Sequence, residues 1–526
     1  MRHRLLLLGV PVLAAVGSAS AQCPAEVGQW EGPWNYASQL GPLPHPELAH
    51  ADLRLDSGTG KVLLLRASFD NGDPSWLFDV GNPSTLATVP LGFNSNLFCS
   101  GHAKLPNGDT LVAGGTGGFA PPPLPLATSY RFTGGGWVAD DAMASLRFYP
   151  TLIRLFDGRG LCIGGLDNTV GFRDDYELYD AATFPHWALG PTIPPSFTCA
   201  GSFNRLSLYP RSFLLSSGEV LVAGELPCTF LLDLDLPAPL RWSPRSSSST
   251  VRSDGCALIF PGQEGLGPDQ VAILLGGPYD PGSLAQNSVE TNLDPGNPAS
   301  PWLSVPVSPP MRPRIFANAV LLPDGSIFIV GGSSVTYETW HPSSPFQAVP
   351  ELLPELLVRT SPTGPWSSKS LAYHSFHRLY HSVALLLPTG QVLSAGGEQF
   401  PAGHPLASGN SDLAIYDPPY LFRGPRPVIT SSPDYTVAYQ QYFPVLFSGV
   451  EKVDRVVLMR PGSVTHHFDS EQRLIPLTFE QTAPGALLAL SPPMAPATHA
   501  APRGDWMLFL VSNGVPSVAR PFRIGW

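Results

Sequence analysis

Seven times along the chain a short apolar run is followed by a turn rich in Gly, Asp, Asn or Pro. A second apolar run comes next, and it usually ends in Gly-Gly. The units are LRLDSGTGKVLLL (53–65), AKLPNGDTLVAGG (103–115), IRLFDGRGLCIGG (153–165) and FLLSSGEVLVAGE (213–225). They continue as ALIFPGQEGLGPDQVAILLGG (257–277), VLLPDGSIFIVGG (320–332) and LLLPTGQVLSAGG (385–397). Apolar runs this short, bounded by turn residues, predict β-hairpins in which Gly supplies the positive φ of the turn. Counting Gly224-Glu225 as one of them, the Gly pairs lie 50, 60, 52, 55 and 65 residues apart.

A period near fifty residues built of strand, turn, strand and Gly-Gly has the form of a kelch repeat. One such unit cannot bury both faces of its sheet, so units stack radially about a channel. Seven of them predict a seven-bladed β-propeller over residues 22–420, with an irregular β-sandwich as the alternative. After YDPPYLFRGPRPVI (416–429) short strands continue at closer intervals without the Gly-Gly ending. About a hundred residues of that kind predict an immunoglobulin-like β-sandwich over 421–526. The fold class expected is all-β.

Composition sharpens this picture. Pro (60) and Gly (52) make up about a fifth of the 526 residues, but 43% hydrophobic content argues for many turns in a folded chain. Only 13% of residues are charged and the formal net charge is −11, which disfavours nucleic acid as a partner. Residues 1–21, MRHRLLLLGVPVLAAVGSASA, read as a secretion signal: basic residues, an apolar core too short to span a bilayer, then Ala19-Ser20-Ala21. No later stretch is long enough for a membrane span. A secreted or periplasmic monomer is expected. Gln22 before Cys23 fits a lipid-attachment site poorly. Export makes disulfides possible among the six cysteines, and Cys199 with Cys228 is the plausible bridge. Cys162 and Cys256 lie in apolar runs and read as buried thiols.

Blades that converge on an axis let loops from different units share one site, so reactive residues just before first strands carry most interest. Tyr380-His381 stands there in the seventh unit, Tyr149 (SLRFYPTLIRLFDG) in the third, and Cys99 (NLFCSGHAKLPNG) in the second. Taken singly, Cys99 reads as a small buried hydrophobe and Tyr149 as a core ring. His374, His377 and His381 form an H-x-x-H-x-x-x-H run that also permits a zinc reading.

These motifs resemble the copper radical oxidases, the family that includes galactose oxidase and glyoxal oxidase. FCSG around Cys99, RFYPT around Tyr149, RLYHS around Tyr380-His381, SVTHHFDSEQRLIPL around His466 and the closing WMLFLVSNGVPSVA carry the resemblance, which runs through most of the chain. It implies one copper ion held by Tyr149, Tyr380, His381 and His466, with His467 fitting the spacing worse. Two imidazoles and two phenolic oxygens suit tetragonal Cu(II). It further implies a thioether between Cys99 and Tyr149 that stabilises a ring radical, and Tyr380 as the group taking the substrate's hydroxyl proton. The implied reaction is two-electron oxidation of a primary alcohol or aldehyde, possibly a carbohydrate, with O2 reduced to H2O2.

The chain departs from the family in two places. Asp167, in GGLDNTVGF, stands where galactose oxidase has a Trp stacked on the cross-linked Tyr. With the first unit beginning about 30 residues after the signal, no counterpart of the sugar-binding N-terminal domain of galactose oxidase is expected, which leans toward the glyoxal-oxidase branch. Two rival readings are a non-catalytic kelch propeller that binds carbohydrate or protein, and a copper protein without the cross-link.

Overall fold

The computed structural model describes residues 23–525 except 41–47, 56–59, 68–71, 118–123, 200–204, 263–267, 279, 338–347, 360, 362, 399–410 and 496–497. The proposed signal sequence lies outside the described residues. Helix is confined to a few single turns such as Pro24–Val27, and nearly everything else is strand or connection. Among the described residues no helix is long and apolar enough to cross a membrane.

Each sequence unit forms the first two strands of an antiparallel sheet of four consecutive members. The second, for example, runs Ser100–Lys104, Thr110–Gly114, Ser129–Thr133, Gly136–Ala139. Six sheets follow this order, starting at Leu48–Arg54, Ser100–Lys104, Thr151–Arg154, Ser212–Leu214, Cys256–Phe260 and Ile315–Leu321. The first carries two further strands, and in the third a separate hairpin, Leu166–Asp167 with Gly171–Phe172, comes between the second and third strands. The unit beginning at Val383–Leu386 differs. Its outer strand is Gln29–Asn35, from the start of the described chain, paired antiparallel to Asp412–Asp417 with Gln29 opposite Asp417. The two chain regions thus clasp one sheet. The first strand of the last unit touches both Ile315–Leu321 and Leu48–Arg54, Ile315–Leu321 touches Cys256–Phe260, and Thr151–Arg154 touches Ser100–Lys104 and Ser212–Leu214. Side-chain bonds from Lys104 to Asp52 and from Arg211 to the Gly255 carbonyl bridge the two remaining steps, so the row closes on itself. The inner strands are buried on both faces, which is why they read as continuous apolar runs.

The Gly pairs have a steric cause. A Cβ on Gly331 (φ +74°) would lie 2.5 Å from the carbonyl oxygen of Arg378 in the next unit, and one on Gly396 (φ +70°) would overlap the carbonyl of Leu48. In these two units, and at Gly114 (φ +78°), where a Cβ would lie 2.5 Å from the Arg147 carbonyl oxygen, the pair falls where the neighbouring sheet's backbone presses in, and a side chain would not fit.

Buried arginines tie the same corner. Arg147 meets Asp175 at 2.8 Å and Glu177 at 3.1 Å, Arg314 meets Glu355 at 2.9 Å, and Arg378 meets Asp412 at 2.7 Å. In each case the acid lies on, or just before, the third strand of the same sheet. Arg147 and Arg314 also donate to the carbonyls of Gly164 and Gly331, both at 2.7 Å. Cys199 and Cys228 are bridged, with Cα atoms 5.5 Å apart, and Cys162 and Cys256 are free and buried as expected.

Beyond residue 426 two sheets face each other over a core that includes Phe443, Trp506 and Phe522. A hairpin, Ser463–Thr465 and Phe468–Asp469, leaves this sandwich and pairs with Leu48–Arg54, placing His50 opposite Thr465. The fold is thus a propeller type of closed sheet array followed by a β-sandwich, as the hydrophobic pattern indicated. Replacing Arg314 by Ala would leave Glu355 buried and unpaired. The expected loss is about 3–5 kcal/mol of unfolding free energy, measurable by denaturant melts against the parent.

Candidate metal centre

Cys99, Tyr149 and His381 share one backbone feature: φ of +60°, +61° and +68° at the entry to a first strand. L-residues rarely adopt this left-handed conformation, which costs roughly 1–3 kcal/mol. The Tyr149 N–H donates to the Cys99 carbonyl at 2.9 Å, and the Tyr209 N–H to the Tyr149 carbonyl at 2.8 Å, so successive sheets hold one another's entry residues in place. His466 (φ +46°) arrives from the other side, at the turn of the hairpin lent by the sandwich.

The five residues singled out from the sequence meet here. The Tyr149 and Tyr380 hydroxyls are 2.8 Å apart. Ring centroids of His466 lie 4.7 Å from Tyr149, 5.3 Å from Tyr380 and 4.7 Å from His381. Cys99 Sγ is 3.9 Å from His466 Nε2, and the thiol is also hydrogen-bonded to Tyr149. Donor atoms of Cys99, His381 and His466 all fall within 4.8 Å of one another.

Hydrogen bonding sets the tautomer of His466. Thr465 Oγ1 donates to the Ala49 carbonyl at 2.9 Å, so it accepts from His466 Nδ1 at 2.7 Å. His466 Nε2 is therefore the bare nitrogen and faces the centre, the arrangement a metal-binding imidazole needs. Burial drives the local electrostatics. It raises the Tyr149, Tyr380 and Cys99 pKa values well above normal, with neighbouring groups adding to the rise for both tyrosines, and it lowers that of His466. By themselves these groups stay neutral. A cation among them is what would let the phenols ionise. Two imidazoles, His466 with its Nε2 turned inward and His381 beside it, and two adjacent phenols in a water-poor cluster fit a copper ion by donor type and count.

The other histidines point elsewhere. His374 Nδ1 hydrogen-bonds to the Phe376 carbonyl at 2.5 Å and His377 Nε2 to the Glu398 carbonyl at 2.8 Å, so the zinc run does not converge on His381. His467 Nε2 turns to the Leu379 carbonyl at 3.5 Å. Asp167 is held by Thr169 at 2.7 Å and Arg173 at 3.1 Å. Burial alone would raise its pKa, but these partners outweigh it and hold the carboxyl low. The Tyr149 ring is instead flanked edge-on by Phe148 at 4.3 Å and Tyr209 at 5.0 Å.

A cavity of about 300 Å³ opens beside Tyr149, Tyr380 and His466, and its far wall carries Arg211, Glu225 and Asp254. Sequence reasoning missed this wall. Tyr209, Asp254 and Phe316 occupy the left-handed entry positions of the fourth, fifth and sixth units, at φ +43°, +48° and +64°. The signal was present: Tyr209-Pro210 repeats Tyr149-Pro150, and Arg252 and Arg314 precede their entry residues as Arg147 precedes Tyr149. Glu225, which broke the Gly pair, accepts from Arg211 at 2.9 Å and from the Asp254 N–H at 3.2 Å.

Comparisons with known proteins bear on the chain as a whole. The family model of the galactose oxidase-like early set domain matches residues 426–524. An aldehyde oxidase, GLOX1, of Arabidopsis thaliana is 27% identical over 480 residues, covering 83% of this chain and 72% of that protein. Galactose oxidase of Gibberella zeae is 27% identical over 455 residues, or 82% of this chain and 61% of that protein, so the chain spans about three fifths of it. An aldehyde oxidase, GLOX, of Vitis pseudoreticulata is 28% identical over 472 residues, 82% of each. Among solved structures, a fungal alcohol oxidase of the AA5 family in complex with copper superposes with a TM-score of 0.75 at 22% identity, over 95% of this chain and all of that one. The resemblance to galactose oxidase and the aldehyde oxidases holds across more than four fifths of the chain.

Burial and the nearby Glu225 carboxylate push Asp254 up to about 8, with Arg211 pulling the other way. An unfolded Asp ionises near 3.9. Between these values the folded state holds a proton that the unfolded state has released, so stability falls as pH rises and levels off above about 8. The Tm advantage of Asp254→Asn over the parent should therefore widen from pH 5 to 8 and stay constant beyond. An advantage independent of pH would refute the assignment.

Proposed function

We propose that the protein is an exported copper radical oxidase that converts a primary alcohol or aldehyde to the next oxidation level while reducing O2 to H2O2. The observation that carries this reading is the 2.8 Å contact between a buried phenol, Tyr149, and a half-buried one, Tyr380, with two imidazoles beside them and a thiol on Tyr149. A site built only to bind carbohydrate or protein has no use for that set.

In this reading Tyr149, Tyr380, His381 and His466 hold one copper ion. Bound copper supplies a one-electron couple and acidifies the groups it touches. Tyr380 accepts the substrate's hydroxyl proton at its Oη. The Tyr149 ring, joined to Cys99 through sulfur, takes a hydrogen atom from the adjacent carbon and so serves as the second one-electron centre. Two electrons and two protons leave the substrate in all, matching reduction of O2 to H2O2. The surrounding sheets exclude water from the ring and hold donors from distant segments together. A cavity of about 300 Å³ admits a small alcohol, aldehyde or sugar terminus.

A secretion signal over 1–21, a propeller over 22–420 and an immunoglobulin-like domain over 421–526 complete the proposal, with the working unit a secreted or periplasmic monomer. The Cys199–Cys228 bridge supports an oxidising compartment.

The test is to load the purified protein with copper, oxidise it, and record visible absorption and peroxide release on simple alcohols and aldehydes. Cys99→Ser and Tyr149→Phe should each abolish the long-wavelength radical band. Each should also lower turnover by about 10³-fold or more, as for groups acting as one unit, while far-UV circular dichroism stays unchanged. Variants that keep both band and turnover would refute the radical assignment.

A further inference from the structure

His50 and His102 are buried, and neither has a part in the chemistry above. His50 is 1% exposed and His102 4%. His50 stands at a bulge in Leu48–Arg54, where the strand register shifts between Leu48 and His50. Its Nε2 accepts the backbone N–H of Cys99 at 3.1 Å. Its Nδ1 lies 3.1 Å from His102 Nε2, and His102 Nδ1 lies 2.5 Å from Ser463 Oγ. Ser463 Oγ in turn donates to the His102 carbonyl at 3.2 Å.

The order of protons along this chain is forced. An amide N–H can only donate, so His50 Nε2 is bare and its proton sits on Nδ1. That proton goes to His102 Nε2, which leaves the His102 proton on Nδ1, directed at Ser463 Oγ. The serine's own hydrogen goes to the His102 carbonyl. Every donor finds an acceptor with both imidazoles neutral. Burial, which lowers the pKa of both rings and puts His102 at about 4, keeps them so.

The relay ends where position matters most. Cys99 is left-handed at φ +60° and sits just before Ser100–Lys104, so its N–H requires a partner from elsewhere. His50 holds that N–H while the Tyr149 N–H holds the Cys99 carbonyl, so the peptide groups on both sides of the thiol-bearing carbon are fixed. At its other end, Ser463 begins the strand that leads to His466.

We propose that His50, backed by His102 and Ser463, is a positioning relay that aims the Cys99 thiol at the Tyr149 ring and thereby sets the rate at which the thioether forms. The inference rests on the radical-oxidase reading. In the step concerned, the S–H bond of Cys99 and one ring C–H bond of Tyr149 break and a C–S bond forms. The two protons and two electrons released pass to dioxygen, which becomes hydrogen peroxide.

The experiment follows maturation of copper-free full-length protein after addition of Cu(II) and air. Loss of two hydrogens from the linked Cys99–Tyr149 peptides is read by mass spectrometry, alongside copper stoichiometry and far-UV circular dichroism. His50→Phe, which fills the space but cannot accept, should bind one copper, keep the fold and cross-link at least about tenfold more slowly, the scale of one lost hydrogen bond. His50→Gln, whose amide oxygen can accept from Cys99, should recover part of the rate. Should His50→Phe fail to fold, Ser463→Ala, at the far end of the relay, decides by the same slowing. Cross-linking in the variants within threefold of the parent rate, or His50→Gln no faster than His50→Phe, overturns the relay while leaving the oxidase reading intact. A parent chain that never loses the two hydrogens overturns both.

Discussion

The centre depends on a backbone conformation that L-residues avoid. Cys99, Tyr149, Tyr209, Asp254, Phe316 and His381 all enter their first strands with positive φ. Only a surrounding structure that over-determines the backbone keeps several such residues in place. Here that structure is the set of bonds from one sheet's entry to the next, Cys99 to Tyr149 to Tyr209 and Asp254 to Phe316, with the arginine–acid corners behind them. Closing the row of sheets with Gln29–Asn35 is therefore tied to the site, because an open row could slide and release the strain.

Burial does the second part of the work. In water, two phenols, a thiol and two imidazoles would be solvated separately and would have little reason to associate. Packed together, the two phenols, the thiol and His466 are held in neutral forms, poor ligands for anything but a cation strong enough to displace phenol protons. The hairpin that carries His466 completes the set from a second region of the chain. Its Thr465 hydroxyl fixes the imidazole tautomer through a bond to Ala49. The sandwich thus supplies an oriented imidazole as well as packing.

How much of this was legible in the sequence follows from the distances along the chain. The hairpins were legible because their signals are local: apolar runs, a turn glycine and a Gly pair within about a dozen residues. The reactive residues were legible because they sit at a fixed offset from those hairpins and match known motifs. The clasp by Gln29–Asn35 was not, since its partner lies almost four hundred residues away and its own pattern, QWEGPWN, has no regular alternation. Asp254 and Phe316 were passed over because neither residue type suggests redox chemistry, although both stand two residues after an arginine as Tyr149 does. His50 and His102 were invisible for a related reason. A lone histidine in an apolar strand reads as a core residue until its partners, here Cys99 and Ser463, are seen in space.

The seventh unit shows how one entry can deliver two chemical groups. In the third, fifth and sixth units the buried arginine stands two residues before the left-handed position: Arg147 to Tyr149, Arg252 to Asp254, Arg314 to Phe316. In the seventh it stands three before, Arg378 to His381, and the added residue is Tyr380. The anchor is unchanged, since Arg378 still pairs with Asp412. The insertion therefore has to be absorbed between anchor and strand. Tyr380 does this with its backbone held at both ends: its N–H meets the Tyr337 hydroxyl at 3.2 Å and its carbonyl the Glu398 N–H at 2.8 Å. His381 keeps the position that Tyr149 has in its own unit, and the inserted phenol is carried across the axis to meet Tyr149. One extra residue in one repeat sets the seventh entry apart from the third, fifth and sixth, and that asymmetry is what the proposed single-ion site would use.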